Sequence, residues 1–274
     1  MSAVTQPSVA RASHLDVSHR GLSAAGIVRS EWIKLRSLRS TWWSFGLIVL
    51  IELGMAVIFA MTASYPGGEV PEGAVTDAAI SVTSVGLFFG QLVIAVLGVL
   101  IISGEYSTGQ IRSSFMAVPS RLPVLAAKAL VFSIATFVVT FGSVVVSYLV
   151  TIPIMAGAGV EANPTDPTLW LRFLGEAGFL VLLGLISLGI GAALRSTAGG
   201  IAASLGLLLV VPTIFQLLPA DWARSIADWL PGTVGRDLFY TGGIFEPWQA
   251  LLVMLGWVAV VLTAAAVLIK RRDA

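Results

Sequence analysis

The residue whose chemistry stands out first is Glu52, a carboxyl ten residues into an apolar run that opens at Trp42. On a helix that is about 15 Å from the start of the run, deep in a hydrocarbon layer. A carboxyl there is costly, turns toward protein rather than lipid, and is by default a functional residue. Two readings stay open. Glu52 either handles protons or substrate in transport, or hydrogen-bonds a neighbouring helix for structure alone. Gln91 and Gln216 are polar but uncharged, and are expected to make packing hydrogen bonds. Arg172 and Glu176 stand one turn apart, the spacing of a solvated i,i+4 pair.

Other chemistries are excluded more firmly. There are no cysteines, so disulfides, thiolate metal sites and cysteine catalysis are absent. Both histidines, His14 and His19, precede every apolar segment, which leaves no intramembrane imidazole for a metal. No Gly-x-Ser-x-Gly elbow occurs, so a membrane enzyme acting on lipid lacks its nucleophile. A phosphate-cradling loop ends in Gly-Lys-Ser/Thr, but Lys34, Lys128 and Lys270 follow Ile33, Ala127 and Ile269. The chain is therefore not an enzyme by these motifs, and ATP-driven work needs another chain.

The elements that must position Glu52 are membrane helices. The 274 residues are 57% apolar and 11% charged, with a mean hydropathy of +0.92, against roughly 25% charged in soluble domains. Six apolar segments, Trp42 to Ala63, Ala79 to Ser103, Val124 to Met155, Phe173 to Leu194, Thr197 to Leu218 and Trp248 to Ile269, have spanning length. They lack the period-two alternation of barrel strands, which leaves an all-α bundle. The third is long enough to tilt or to end in a broken turn at Pro153. Residues 1–24 carry no apolar run and read as a disordered tail without a secretory signal, ahead of a membrane domain over 25–274. Net charge is +1, which gives no electrostatic case for nucleic acid.

Orientation follows from the basic residues. Thirteen of the 16 Lys and Arg fall in the N-terminal arm, the second and fourth connections and the C-terminus. Only Arg172, Arg224 and Arg236 fall on the other side, whose loops instead carry Glu69, Glu72, Asp77, Glu161, Asp166, Asp221, Asp228, Asp237 and Glu246. The positive-inside rule makes both termini cytoplasmic. Trp42, Trp43, Trp170 and Trp248 sit at span ends, as interfacial anchors do. Small-residue spacings at Gly86/Gly90 and Gly200/Ser204 allow close helix approach, either within the chain or between two copies.

Two cytoplasmic stretches carry further pattern. Residues 27–41 place Ile27, Val28, Trp32, Leu35, Leu38 and Trp42 on one broad helical face, interrupted by Glu31 and Arg39, which suits a basic helix lying in the membrane interface better than the alternative, a cytosolic extension of the first span. Between the second and third spans, Ile111, Phe115 and Met116 form an apolar cluster in a short helix running from after Gly109 to Pro119. Such a helix has no core of its own: spacing alone favours an ordinary loop packed against the membrane, and the other reading is docking on a partner with Phe115 as an exposed anchor.

The run Glu105-x-x-Thr108-Gly109-x-Ile111-Arg112, followed by Pro119-Ser120-Arg121 and Lys128, resembles the cytoplasmic signature of bacterial ABC transporter permeases of the type 2 export class. The basic arm with Glu31-Trp32-x-Lys34-Leu35 is similar to theirs as well. The resemblance implies a half-transporter in the bacterial cytoplasmic membrane, paired with a second permease copy or paralogue and with cytosolic ATPase subunits that hold ATP and Mg. It implies an interfacial helix containing Trp32, Lys34 and Leu35, and a coupling helix with Glu105, Gln110, Ile111, Arg112 and Phe115 at or near the ATPase contact. It also makes Pro219 to Pro247 an external cap, where Trp222, Trp229 and the breaks Pro231-Gly232 and Gly242-Gly243 suit short re-entrant or interfacial pieces. The expected function is export of a lipid, drug or peptide-like substrate. The alternative from the residues alone is a stand-alone carrier coupled to protons through Glu52.

Overall fold

The computed structural model describes residues 23–62, 72–161 and 163–271. Nearly all of the tail expected to be disordered therefore lies outside the described residues. The first helix, α1 (Ala24–Ser37), starts where the Ser23 hydroxyl accepts from the Gly26 N–H, the usual way an N-cap satisfies an orphan donor. It ends four residues earlier than the sequence pattern suggests, because Leu38 is extended. The chain turns there into α2 (Arg39–Thr62), and the Trp42 indole N–H closes the corner on the Arg36 carbonyl at 2.9 Å.

The second apolar segment is not one helix. A helix α3 (Glu72–Thr83) stops at Ser84, and the span α4 (Leu87–Ser107) starts three residues later. Two local contacts make the break. The Ser84 hydroxyl is drawn away to the Glu176 carboxylate at 2.5 Å, and Gly86 lets the α2 backbone approach so closely that a Cβ there would lie 2.5 Å from Glu52 Cα. The second span thus opens at Leu87 rather than Ala79.

The remaining elements follow the apolar pattern. A short α5 (Gln110–Ala117) leads into α6 (Leu122–Gly157), which continues through Pro153 without ending there, and then α7 (Pro167–Leu194). The fifth span, Thr197–Leu217, comprises α8 (Thr197–Leu205), a π-turn at Gly206–Val210 and α9 (Val211–Leu217). Short helices α10 (Asp221–Asp228) and α11 (Pro231–Val234) precede the last span, α12 (Pro247–Arg271). Six helices are long and apolar enough to cross a membrane, and no strand occurs among the described residues.

Packing sorts these helices into centre and rim. In their most apolar windows α4 and α7 are 61% and 67% buried, whereas α2, the fifth span and α12 are each 22% buried. The centre is built on close approach of small residues: a Cβ at Gly98 would stand 2.6 Å from the Gly184 carbonyl oxygen, and one at Gly200 would meet Val99 at 2.6 Å. Gly86 and Gly200 therefore serve packing within the chain. A second apolar cluster joins α2, α3, α6 and α7, with the Tyr148 and Phe173 rings 5.4 Å apart.

The bundle has two chemically different ends. At the basic end the Arg121 guanidinium, at the start of α6, donates to the Ile269 carbonyl near the end of α12 at 3.0 Å, and the Thr197 hydroxyl bonds Ser103 at 2.9 Å. At the acidic end Arg172 pairs with Asp77, and Thr76 donates to Asp166 at 2.7 Å. These bonds, led by the one from Thr76 and supported by the Thr168 N–H, hold the Asp166 carboxyl below its ordinary range. Exposed Trp42 and Trp43 flank the first end, and Trp222, Trp229 and Trp248 the second.

Candidate functional site

Four charged side chains meet at the basic end. On α1, Glu31 and Lys34 are one turn apart, with Lys34 Nζ 2.7 Å from Glu31 Oε1. Glu105 comes from the last turn of α4 and Lys128 from the second turn of α6. Lys128 Nζ lies 2.5 Å from Glu31 Oε2 and 2.7 Å from Glu105 Oε1, and Lys34 Nζ lies 3.1 Å from Glu105 Oε1. Two carboxylates thus face two ammonium groups and the cluster is neutral. Glu31, Glu105 and Lys128 are buried, and Lys34 is partly exposed. Burial alone pulls the Lys34 ammonium down, but the hydrogen bond and charge of Glu31, with the charge of Glu105, outweigh it and raise it above the ordinary lysine value. Buried ion pairs of this kind gain little net stability over an apolar core, but leaving one partner alone is strongly unfavourable. The cluster therefore fixes which helices sit together.

It also holds α5. Lys34 Nζ donates to Ser114 Oγ at 2.9 Å. Gly109, with φ 74°, makes the left-handed turn out of α4 that an L side chain resists. Ile111 and Phe115 then point inward into the main core, Phe115 being only 7% exposed with the Arg121 guanidinium 5.5 Å from its ring. This corrects the expectation that Phe115 is an exposed anchor. Ile111 and Phe115 share one helical face, and that face is the one with apolar residues to meet. Glu105 is inward as well. The outward face carries Gln110, Arg112, Ser113 and Met116, and Met116 is 76% exposed. Of the five residues assigned to coupling, Gln110 and Arg112 reach the surface, while Glu105, Ile111 and Phe115 hold the helix in place.

On α1, Leu35 is buried and Trp32 is 40% exposed. Trp32, Leu35, Trp42, Phe45, Ile134 and Val138 border an apolar groove of 180 Å³ between α1, α2 and α6. Glu31, which seemed to spoil an amphipathic face, sits on the side that packs against α6. The helix has an ionic inner face as well as an apolar one.

Glu52 lies elsewhere, near the middle of α2. It is buried against Gly86 at the break between α3 and α4, and Glu176 of α7, buried as well, accepts from Ser84 at the same break. The expected solvated Arg172–Glu176 pair does not form: Arg172 turns to Asp77 and Glu176 turns inward. Gln91 and Gln216 line a cavity of 370 Å³ with Ser84, Thr213, Arg236 and Tyr240.

A bundle of six helices long and apolar enough to cross a membrane, with a buried ionic joint between α1, two of these helices and a short helix, is the architecture of a multi-pass membrane protein. The family model described as ABC-2 family transporter protein matches residues 27–215, from α1 into α9, and the chain belongs to that family. It is an ABC-type permease subunit and a multi-pass membrane protein. No curated protein matches the chain by sequence.

Proposed function

We propose that this permease is the membrane half of an ATP-driven exporter in a bacterial cytoplasmic membrane, and that the outward face of α5 receives a separate ATPase that carries ATP and Mg. The supporting observation is the joint itself. Arg112 and Met116 stand free on a helix that is pinned through Ser114 to Lys34, and through Lys34 to Glu31 and Glu105. A displacement of α5 is passed to α1, α4 and α6 together rather than absorbed in a loop. The basic end then faces the cytoplasm, α1 lies along the inner leaflet with Trp32 toward lipid, and a second permease copy or paralogue completes the pathway. The substrate is amphipathic or apolar: a lipid, a drug or a peptide-like molecule.

The test is the amount of ATPase that co-purifies with the chain. Met116→Asp and Arg112→Glu are expected to lower it by roughly 30-fold, the equivalent of about 2 kcal/mol for an interface anchor, with membrane insertion unchanged. Wild-type recovery of ATPase with both variants would overturn the docking face. So would the absence of any ATPase with the wild-type chain.

Orientation has its own test. A reporter placed at Ser113 should read as cytoplasmic and one at Thr241 as external. A cytoplasmic readout at Thr241 would invert the bundle and remove α5 from reach of any cytosolic partner.

A further inference from the structure

The two groups of buried glutamates are neutralised in different ways. At the basic end Glu31 and Glu105 each face a lysine. In the middle of the bundle Glu52 and Glu176 are both buried at the break between α3 and α4, Glu52 against Gly86 and Glu176 on the Ser84 hydroxyl. The nearest arginine on α7, Arg172, is held by Asp77 of α3. From the segment between α11 and α12, Tyr240 and Arg236 line the cavity that Ser84 and Gln91 also border. Beside them α4 contributes Gln91, which is neutral, and the α3–α4 break contributes Ser84. Among these groups none is a cation in contact with either carboxyl.

A carboxylate only accepts hydrogen bonds, so a hydrogen bond between two carboxyls requires one proton. One oxygen of Glu52, Oε1, is buried and has no hydrogen-bond partner, so the site has an acceptor to spare. Ser84 connects this pair to space outside it. Its hydroxyl reaches Glu176 at 2.5 Å, and the same residue lines the 370 Å³ cavity bordered by Gln91, Thr213, Gln216, Arg236 and Tyr240. That cavity is roomy and polar enough to hold several waters.

We propose that Glu52 and Glu176 form a proton-binding site, loaded from the polar cavity between α4 and α9 by way of Ser84. Loading transfers one proton from cavity water to the pair and leaves a hydroxide equivalent in the aqueous phase; the pair goes from two negative charges to one. Unloading places two like charges side by side between α2 and α7. Because the Gly86 backbone rests on Glu52 and Ser84 is bound to Glu176, that repulsion acts directly on the break between α3 and α4. The site thus makes the packing of four elements depend on protons from the acidic end, and it does not rest on the ATPase reading.

The experiment is infrared spectroscopy of the purified full chain in lipid nanodiscs. At about pH 7, where exposed carboxyls are ionised, the wild type should keep a protonated-carboxyl C=O band that moves on transfer to D₂O. The Glu52→Gln/Glu176→Gln double variant should lack it. Ser84→Ala removes one hydroxyl and leaves both glutamates, so it should shift the frequency of the band and slow its response to D₂O. No such band in the wild type, its persistence in the double variant, or a band that Ser84→Ala leaves unmoved would each overturn the proposal. The Ser84→Ala measurement stands alone if the double variant does not fold.

Discussion

Lys128→Met is expected to unseat α1 and lower the stability of the purified chain by about 3–5 kcal/mol, the range seen when one partner of a buried ion pair is removed. Lys128 is the only member of the cluster bonded to Glu31 and Glu105 that is itself buried. Without it, two buried carboxylates share one Lys34. Lys34→Met should cost less, because its side chain is 21% exposed and water can take its place. The measurement is thermal unfolding in nanodiscs, together with limited proteolysis between α1 and α2. Arg112→Ala, on the outward face of α5, serves as the control and should unfold like the wild type. The pH dependence of the Lys34 contribution has a definite sign. Its ammonium is raised in the folded state, so that contribution is complete below the ordinary value of 10.5 and is lost only as pH rises through the raised one. Unchanged stability of Lys128→Met would mean that the apolar contacts of Leu35 and Phe115 hold α1 and α5 without the ions.

Much of this arrangement was legible in the sequence, and what was not has identifiable causes. The six spans follow from apolar length, which membrane helices cannot disguise. The break at Ser84 does not, since Ser84-Val85-Gly86 is uncharged and small enough to continue a span, and only the meeting with Glu52 and Glu176 interrupts it. All four members of the ionic joint lie in the two patterned stretches, yet their pairing joins residues 97 and 23 positions apart, which periodicity cannot connect. Glu31 interrupts an apolar face suited to lipid, but the side of the helix it occupies meets a lysine of α6. Helical spacing placed Ile111 and Phe115 on one face without saying which way that face turns. The i,i+4 spacing of Arg172 and Glu176 suggested a pair where long-range partners, Asp77 and Ser84, were the stronger choice.

The other large effect expected is at Gly98, on the same central helix that carries Glu105 near its end. A Cβ there would lie 2.6 Å from the Gly184 carbonyl oxygen and 3.2 Å from both the Leu188 nitrogen and Ser187 Cβ. Two of these three atoms are backbone, so no rotamer change relieves the contact and α7 itself must retreat. Gly98→Ala should destabilise the chain by about 1–3 kcal/mol, the usual cost of overpacking, and Gly98→Leu by more. Gly104→Ala, two turns further along α4 with nothing within 4 Å of its Cβ, should instead be neutral or stabilise by up to about 1 kcal/mol through helix propensity. The pair of variants separates helix propensity from helix approach in one element. Moving α7 away from α4 also draws Glu176 away from Ser84, so Gly98→Ala should disturb the carboxyl site while leaving Lys128 and its partners in place. Equal unfolding midpoints for Gly98→Ala and Gly104→Ala would mean that α4 and α7 have room to separate, and the two sites would then have no rigid element between them.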